Sequence, residues 1–266
     1  MEAEPPPRLS VVVPAYREQD LIGSTVRRLY QRLRPVDARV EVIVVDDGSE
    51  DRTAAEASEA GATVISLDRH RGKGAAVRAG VLEAAGRTVA FIDADLAYPP
   101  EQLIGLMEEV ESGADVVVGS RRHVDTVTLA KVRRIRGVSG RVFNWLTRAV
   151  VLGEVRDTQC GIKAFSAEAA RAVFSRGRVD GFAFDVEIFV IARALGLQVT
   201  EVPVELTNTR RSSVRVHRDA GRMVGDLAAI RWRALRGRYR QPGQPTPPSR
   251  LGRPWPGSTT SSRPTT

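Results

Sequence analysis

The stretch Val89-Ala90-Phe91-Ile92-Asp93-Ala94-Asp95-Leu96 constrains this chain more than any other. A short apolar run without polar alternation reads as a strand buried on both faces, the habit of parallel sheets. Two carboxylates, one residue apart, follow it. Open α/β sheets place their ligands outside the carboxyl ends of the strands. Asp-x-Asp at such an end also suits a hard divalent cation, because two anionic groups can share one ion. Asp is a common turn residue too, so on this stretch alone a strand ending in a plain polar turn stays open.

The rest of the chain repeats the pattern. Apolar β-branched runs at residues 9–13, 40–45, 62–67, 89–92 and 115–118 read as five strands. Between them, helical spacing predicts helices over 18–33, 52–60, 73–85 and 100–112. The helix from Lys73 is rich in small residues and can pack close to a sheet. Strands alternating with helix-length crossovers predict a doubly wound, mostly parallel α/β sheet. Beyond Gly119 the rhythm changes. Residues 128–151 form a long basic amphipathic stretch. Runs at 161–165 and 198–204 read as further strands, 184–195 as a helix, and 220–236 as a final basic helix. From Gln241 onward Pro, Ser, Thr, Gly and Arg dominate without periodicity, so 241–266 reads as a disordered tail. The expected organisation is a disordered N-terminus over 1–8 and a single domain over 9–240. Its first half, 9–120, holds the strand-end clusters, and its second, 121–240, the basic stretches.

Composition narrows the partners. The 266 residues carry a net charge of +8, with 42% hydrophobic residues. That balance suggests a polyanionic partner: nucleic acid, anionic lipid or a phosphorylated substrate. Of the 40 basic residues only Lys73, Lys131 and Lys163 are lysine. No run reaches the roughly 18 apolar residues that span a bilayer. The acidic, Pro-rich start is not a secretory signal, and a cytoplasmic location is the expectation. A single cysteine, Cys160, excludes an internal disulfide. His70, His123 and His217 lack zinc-ligand spacing. Aromatics make up 5% of residues, without the aromatic-basic interleaving of RNA binders, so nucleic acid is not expected.

Four polar clusters lie just past strand ends: Pro14-Ala15-Tyr16-Arg17-Glu18, Asp46-Asp47-Gly48-Ser49, His70-Arg71-Gly72-Lys73-Gly74 and Asp93-Ala94-Asp95. In a parallel sheet these loops converge on one edge. A nucleotide needs such an edge: carboxylates accept from ribose or base, and amides at helix starts meet phosphate. Each cluster alone has a plainer reading as a turn or helix cap. Arg-Gly-Lys-Gly lacks the spacing of a P-loop, which argues against an ATPase of that class.

VVVPAYREQD, VIVVDDGSEDRT, RGKGAAVRAG, FIDADLAYPPE and VVVGSRR together resemble the successive motifs of family-2 glycosyltransferases with a GT-A fold. RDTQCGIKAF, GFAFDVEIF and EVPVELTNTRRSSVRVHRD resemble the dolichyl-phosphate glucosyl- and mannosyltransferase branch. The resemblance implies that Pro14, Tyr16, Glu18, Asp46 and Asp47 hold the nucleoside, with Lys73 beside the nucleotide. It implies that Asp93 and Asp95 face the diphosphate and Mg²⁺ or Mn²⁺, and that Arg215 sits on a loop closing over the diphosphate. Arg121, Arg136 and Ser139 fall where this branch is expected to grip a lipid phosphate, chemistry that suits guanidinium groups. Asp95, Asp157 and Asp185 are the expected catalytic carboxylates, with Asp185 and Glu187 by the acceptor cleft. One departure stands out. Mannosyltransferases of this branch often carry Gln two residues after the second Asp, where this chain has Ala97. The Asp157–Gly161 string looks closer to the glucosyltransferase side.

The expected reaction is inverting transfer of a hexose from a nucleotide-sugar, UDP-hexose favoured over GDP-mannose, to a polyprenyl or dolichyl phosphate. A phosphate acceptor is already anionic near neutral pH and needs little help from a base. A soluble or glycan hydroxyl acceptor is the alternative, and would need a base among Asp157, Asp185 and Glu187. A basic nucleotide- or RNA-binding module is the non-enzymatic alternative. With no spanning segment, contact with a lipid acceptor is expected to be peripheral, at the cytoplasmic face, through the 128–151 and 220–236 stretches. Packing of their apolar faces on the sheet is the plainer alternative.

Overall fold

The computed structural model describes residues 5–37, 39–121, 126–128, 159–207 and 216–240. The amphipathic stretch after Thr128, the 241–266 tail, Arg136, Ser139, Asp157 and Arg215 lie outside the described residues. The described chain runs β1 (Leu9–Ala15), α1 (Ile22–Leu33), β2 (Val40–Asp46), α2 (Thr53–Glu59), β3 (Thr63–Ser66), α3 (Lys73–Glu83), β4 (Thr88–Ile92), α4 (Gln102–Glu111), β5 (Val116–Ser120) and β6 (Val127–Thr128). It continues with β7 (Ile162–Ser166), α5 (Ala167–Phe174), α6 (Phe184–Leu195), β8 (Val199–Pro203), β9 (Glu205–Leu206) and α7 (Val216–Leu235).

Seven strands form one sheet in the order β3-β2-β1-β4-β7-β5-β8. All run parallel except β7, which lies antiparallel between β4 and β5. The chain turns β7 around so that its first residues stand at the edge where the parallel strands end. Cys160 and Gly161 therefore arrive beside Asp93. Hydrogen bonding to the sheet begins ahead of β1, with Arg87 N donating to Pro7 O and Arg8 N to Arg39 O.

The apolar runs produce two cores. Alternate residues of β1, Val12 against Val11 and Val13, belong to opposite faces. One face is covered by α3, α5, α6 and α7, the other by α1, α2 and α4. Residues 88–92 of β4 are buried throughout, as a strand clad on both sides must be. α3 lies close to the sheet because of Gly80, where an added Cβ would stand 2.8 Å from Val45 Cγ2. α5 had no counterpart in the periodicity. Ser166 starts it, its Oγ accepting from Ala169 N at 3.2 Å, an ordinary N-cap.

Candidate active site

The ends of β1 and β2 are knotted together. Arg17 takes a left-handed φ of 56°, and its N donates to Ser49 Oγ at 2.8 Å. Glu18 N donates to Thr53 Oγ1 at 2.9 Å. Half-buried Pro14 and Tyr16 and half-buried Glu18 line this corner. The Tyr16 ring stacks on His70, centroids 4.0 Å apart, joining the loop after β1 to the 70–72 loop. Asp46 is buried, and its Oδ1 accepts from Ser49 N at 3.2 Å.

Asp47 differs from Asp46 in what it touches. Both of its oxygens serve the 70–72 loop: Oδ1 accepts from Arg71 N and Oδ2 from Gly72 N, each at 2.8 Å, and His70 Nδ1 lies 2.8 Å from Oδ2. The carboxylate is buried, so it shapes the loop that leads into α3. Gly48, at φ +70°, permits the approach; an added Cβ would lie 2.6 Å from Arg69 Cα.

That loop delivers Lys73 as the first residue of α3. Gly72, at φ +118°, and Gly74 are needed for close contact with the 179–184 segment: added Cβ atoms would stand 2.6 Å from Asp180 O and from Val179 O. Asp180 binds Arg71 and Arg78. Burial opposes its ionisation, but the two guanidinium groups hold its carboxyl below the ordinary range. Glu187 fixes the same segment, Oε2 accepting from Arg178 N and Val179 N at 2.8 Å, while Tyr239 Oη donates to Oε1 at 2.6 Å. Burial and this bond push the Tyr239 phenol up. Glu187 therefore braces backbone. A cleft of about 410 Å³ opens along the loop, bordered by residues 69–72, 180–182 and α7.

Lys73 Nζ is ion-paired with Asp93 Oδ1. Burial pulls the lysine down, but Asp93 and Asp185 outweigh it and hold its ammonium above the usual range. Asp185, in the first turn of α6, accepts from Lys163 Nζ at 2.6 Å. Burial raises its pKa despite both lysines. The result is an alternating row of charges, Lys163, Asp185, Lys73 and Asp93, running from the sheet interior to the strand-end edge.

Beyond Asp93 the chain turns tightly. Leu96 N donates to Asp93 O at 3.1 Å, and Leu96 has φ 46°. Asp95 Oδ1 accepts from Ala97 N at 3.1 Å. Thr25 Oγ1 donates to Ala94 O at 2.6 Å, tying α1 to the turn. Asp93 Oδ2 packs on Gly161 so closely that an added Cβ would come nearer than 3.0 Å. The donor set fits a hard divalent cation: Asp93 already holds a cation, the Lys73 ammonium, and all available donors are oxygens. Among the described residues no group of three His, Cys, Asp or Glu side chains gathers to hold a metal alone. A cation held by Asp93 and Asp95 would need further oxygen donors from outside this pair, and Ala97 offers no side-chain oxygen.

Tyr16, Glu18, Asp47, Asp93 and Asp95 sit on loops at this edge, Asp46 ends β2 and Lys73 begins α3 there, and exposed Arg121 directly follows β5 at the same edge. Sequence reasoning placed His70 in a strand-end cluster without giving it a role, and did not select Asp180 or Lys163. Of those two, Lys163 left a signal, as one of three lysines in an arginine-dominated chain.

A mostly parallel sheet with paired carboxylates and a glycine-flanked lysine at its carboxyl edge defines an α/β protein built to handle a nucleotide diphosphate. Comparisons make that specific. The family model for glycosyl transferase family 2 matches residues 10–174. Dolichyl-phosphate beta-glucosyltransferase from Drosophila melanogaster is 35% identical, over 90% of this chain and 79% of its own. The protein of that name from Dictyostelium discoideum is 31% identical, over 86% and 75%. Glucosyl-3-phosphoglycerate synthase from Mycobacterium tuberculosis, solved with Mn²⁺, UDP and phosphoglyceric acid, superposes with a TM-score of 0.64 at 23% identity, over 90% of this chain and 80% of its own. The chain belongs to glycosyltransferase family 2, and its fold is GT-A.

Proposed function

We propose that this chain transfers glucose from UDP-glucose to the phosphate of a polyprenyl or dolichyl phosphate, with inversion at the anomeric carbon. The observation that carries the reading is the similarity to dolichyl-phosphate beta-glucosyltransferases across 86–90% of the chain; the family match over residues 10–174 spans every residue of the strand-end cluster. Residues 9–240 act as one catalytic domain in this reading, 9–120 serving the nucleotide and 121–240 the acceptor.

The chemistry follows from the residues. An acceptor phosphate oxygen attacks the anomeric carbon while the bond to UDP breaks, its electron pair leaving on the diphosphate. Pro14, Tyr16, Glu18 and Asp46 hold the nucleoside, on a corner that Asp47 shapes through the 70–72 loop. Lys73 offers positive charge to the diphosphate, and Arg215 adds to it. Asp93 and Asp95 would hold Mg²⁺ or Mn²⁺, which when bound neutralises charge developing on the leaving group. Arg121, Arg136 and Ser139 orient the acceptor phosphate. Because that phosphate is anionic, Asp185 need not act as a base, and its burial against Lys163 suits it to holding lysines in place. Asp157 is the remaining carboxylate proposed for the catalytic centre. The work is positioning and charge stabilisation.

The test supplies the full chain with Mg²⁺, polyprenyl phosphate and a panel of labelled UDP- and GDP-sugars. Glucose from UDP-glucose is expected to move into an acid-labile lipid. Transfer to soluble acceptors alone, or from GDP-mannose in preference, would overturn the assignment.

Such an acceptor requires a membrane surface, and we place the enzyme peripherally on the cytoplasmic face. Among the described residues no helix is long and apolar enough to cross a membrane. α7 supports a peripheral mode. Its side chains Leu227 and Ile230 enter the core, while Val224, Trp232 and Leu235 stay 51%, 47% and 71% exposed. Arg236 and Arg238 lie 4.3 and 5.7 Å from the Trp232 ring. An apolar ridge fringed by guanidinium groups fits an anionic leaflet. Flotation with anionic liposomes is expected to carry the protein up, and Trp232→Ser with Leu235→Ser to reduce the bound fraction severalfold. Equal flotation of the variant would exclude α7 as the contact.

A further inference from the structure

Lys163 is a charge in an unusual place. It lies on the central antiparallel strand, fully buried, opposite Phe91 of β4 and Val118 of β5. Its Nζ donates to Cys160 O at 2.7 Å and to Asp185 Oδ1 at 2.6 Å, and stands 5.2 and 5.9 Å from the rings of Phe91 and Phe189. An ammonium in such a setting is costly to bury and persists only where its partners are well placed. In a chain that uses arginine almost everywhere, a compact ammonium has been kept where a planar guanidinium fork would have to fit between strands and helix.

The two hydrogen bonds lead to one place. The bond to Cys160 O fixes the turn that carries Gly161, and Gly161 is the surface on which Asp93 Oδ2 rests. The bond to Asp185 fixes the start of α6, where Phe184 abuts Gly74 next to Lys73. Asp185 also helps hold the Lys73 ammonium charged. One arm thus sets the back of Asp93 and the other sets Lys73, and these two form an ion pair at the edge.

We propose that Lys163, acting with Asp185, is a positioning residue of the donor site: the buried pair holds the Lys73 ammonium and Asp93 in the arrangement that receives the nucleoside diphosphate. Lys163 does not touch the donor. Its contribution reaches the donor through Asp185, Lys73 and the Cys160-Gly161 turn. The inference rests on the reading that the donor is a UDP-sugar.

Three variants separate positioning from bulk stability. Lys163→Met leaves Asp185 buried without its partner, and is expected to lower the melting temperature by roughly 10 °C. Lys163→Met with Asp185→Asn leaves no unpaired buried charge, and should regain most of that loss. Asp185→Asn alone keeps an acceptor for Lys163. Calorimetric titration with UDP and Mg²⁺ supplies the deciding readout. The double variant and Asp185→Asn are each expected to bind UDP about tenfold more weakly, with donor KM raised in step and acceptor KM unchanged. Wild-type UDP affinity in either variant, once folded, would reduce the pair to a structural ion pair and overturn the proposal. Wild-type protein that fails to bind UDP would instead overturn the donor reading. The same comparison is then made with the nucleoside diphosphate the wild type does bind, and equal affinity there overturns the positioning role.

Discussion

Asp95→Asn is expected to reduce glycosyl transfer by at least about a hundredfold while leaving the fold intact. The substitution keeps the side-chain oxygen that accepts from Ala97 N at 3.1 Å, so the turn after β4 retains its local bond. In the proposed reading, what is lost is one of the two carboxylate charges that would hold a divalent cation against the leaving diphosphate. Removing a single preorganised electrostatic contact of this kind typically costs about 10²–10³ in rate. The loss should fall at the upper end here. Ala97 brings no polar side chain, and Asp93 shares its oxygens with Lys73 and the Gly161 surface, so Asp95 has no substitute among its neighbours. Initial rates across a Mg²⁺ titration check this, with thermal melting as the control for folding. Full activity in the variant would remove Asp95 from the chemistry.

Much of this architecture was legible because burial leaves a simple mark on sequence. The runs that became β1, β2, β4 and β5 each hold three or more consecutive apolar residues, the mark of strands covered on both faces. The 184–195 helix was read at its observed limits. Strand direction left no such mark. β7 is one more short apolar run, and nothing in Ile162–Ser166 says that it lies antiparallel between β4 and β5. That one placement brings Gly161 to Asp93, and it depends on pairings between distant segments.

The site divides the same way. Residue types announced the cluster, and the resemblance to family-2 enzymes gave it a reaction. The partition of labour inside it came from contacts far apart in sequence. Asp46 and Asp47 look equivalent as a pair, yet Asp47 gives both oxygens to a loop 24 and 25 residues away. Tyr16 was expected at the nucleoside, but its stacking partner His70 was not foreseen, because no local pattern links the two. Lys163 sits within an apolar strand, where periodicity treats a lysine as an interruption. Its meaning emerged only once Asp185, 22 residues on, was seen to meet it.

Gly161→Ala probes the closest approach at this edge, and it should damage both stability and activity. The added methyl group would meet Asp93 Oδ2 inside 3.0 Å, with Asp93 Cγ at 3.1 Å and Tyr98 Cε2 at 3.5 Å. Neither side can retreat easily. Asp93 Oδ1 is paired with Lys73, and Gly161 leads directly into β7, whose Ile162 is in register with Ile92 beside Asp93. Overpacking a constrained site costs about 1–3 kcal/mol. The least costly relief is rotation of the Asp93 carboxylate, which breaks its pairing with Lys73 and displaces one of the two carboxylates. A displacement of about 1 Å in a positioning group can cost on the order of a hundredfold in rate, so donor turnover should fall by that factor beyond what the melting shift accounts for. Gly105→Ala in α4 is the matched comparison, because an added Cβ there has nothing within 4 Å. It should leave activity unchanged and stabilise the helix by about 0.5–1 kcal/mol. If Gly161→Ala turned over donor as well as Gly105→Ala does, Asp93 would not need the Gly161 surface, and the tight join between β4 and β7 would be a matter of packing alone.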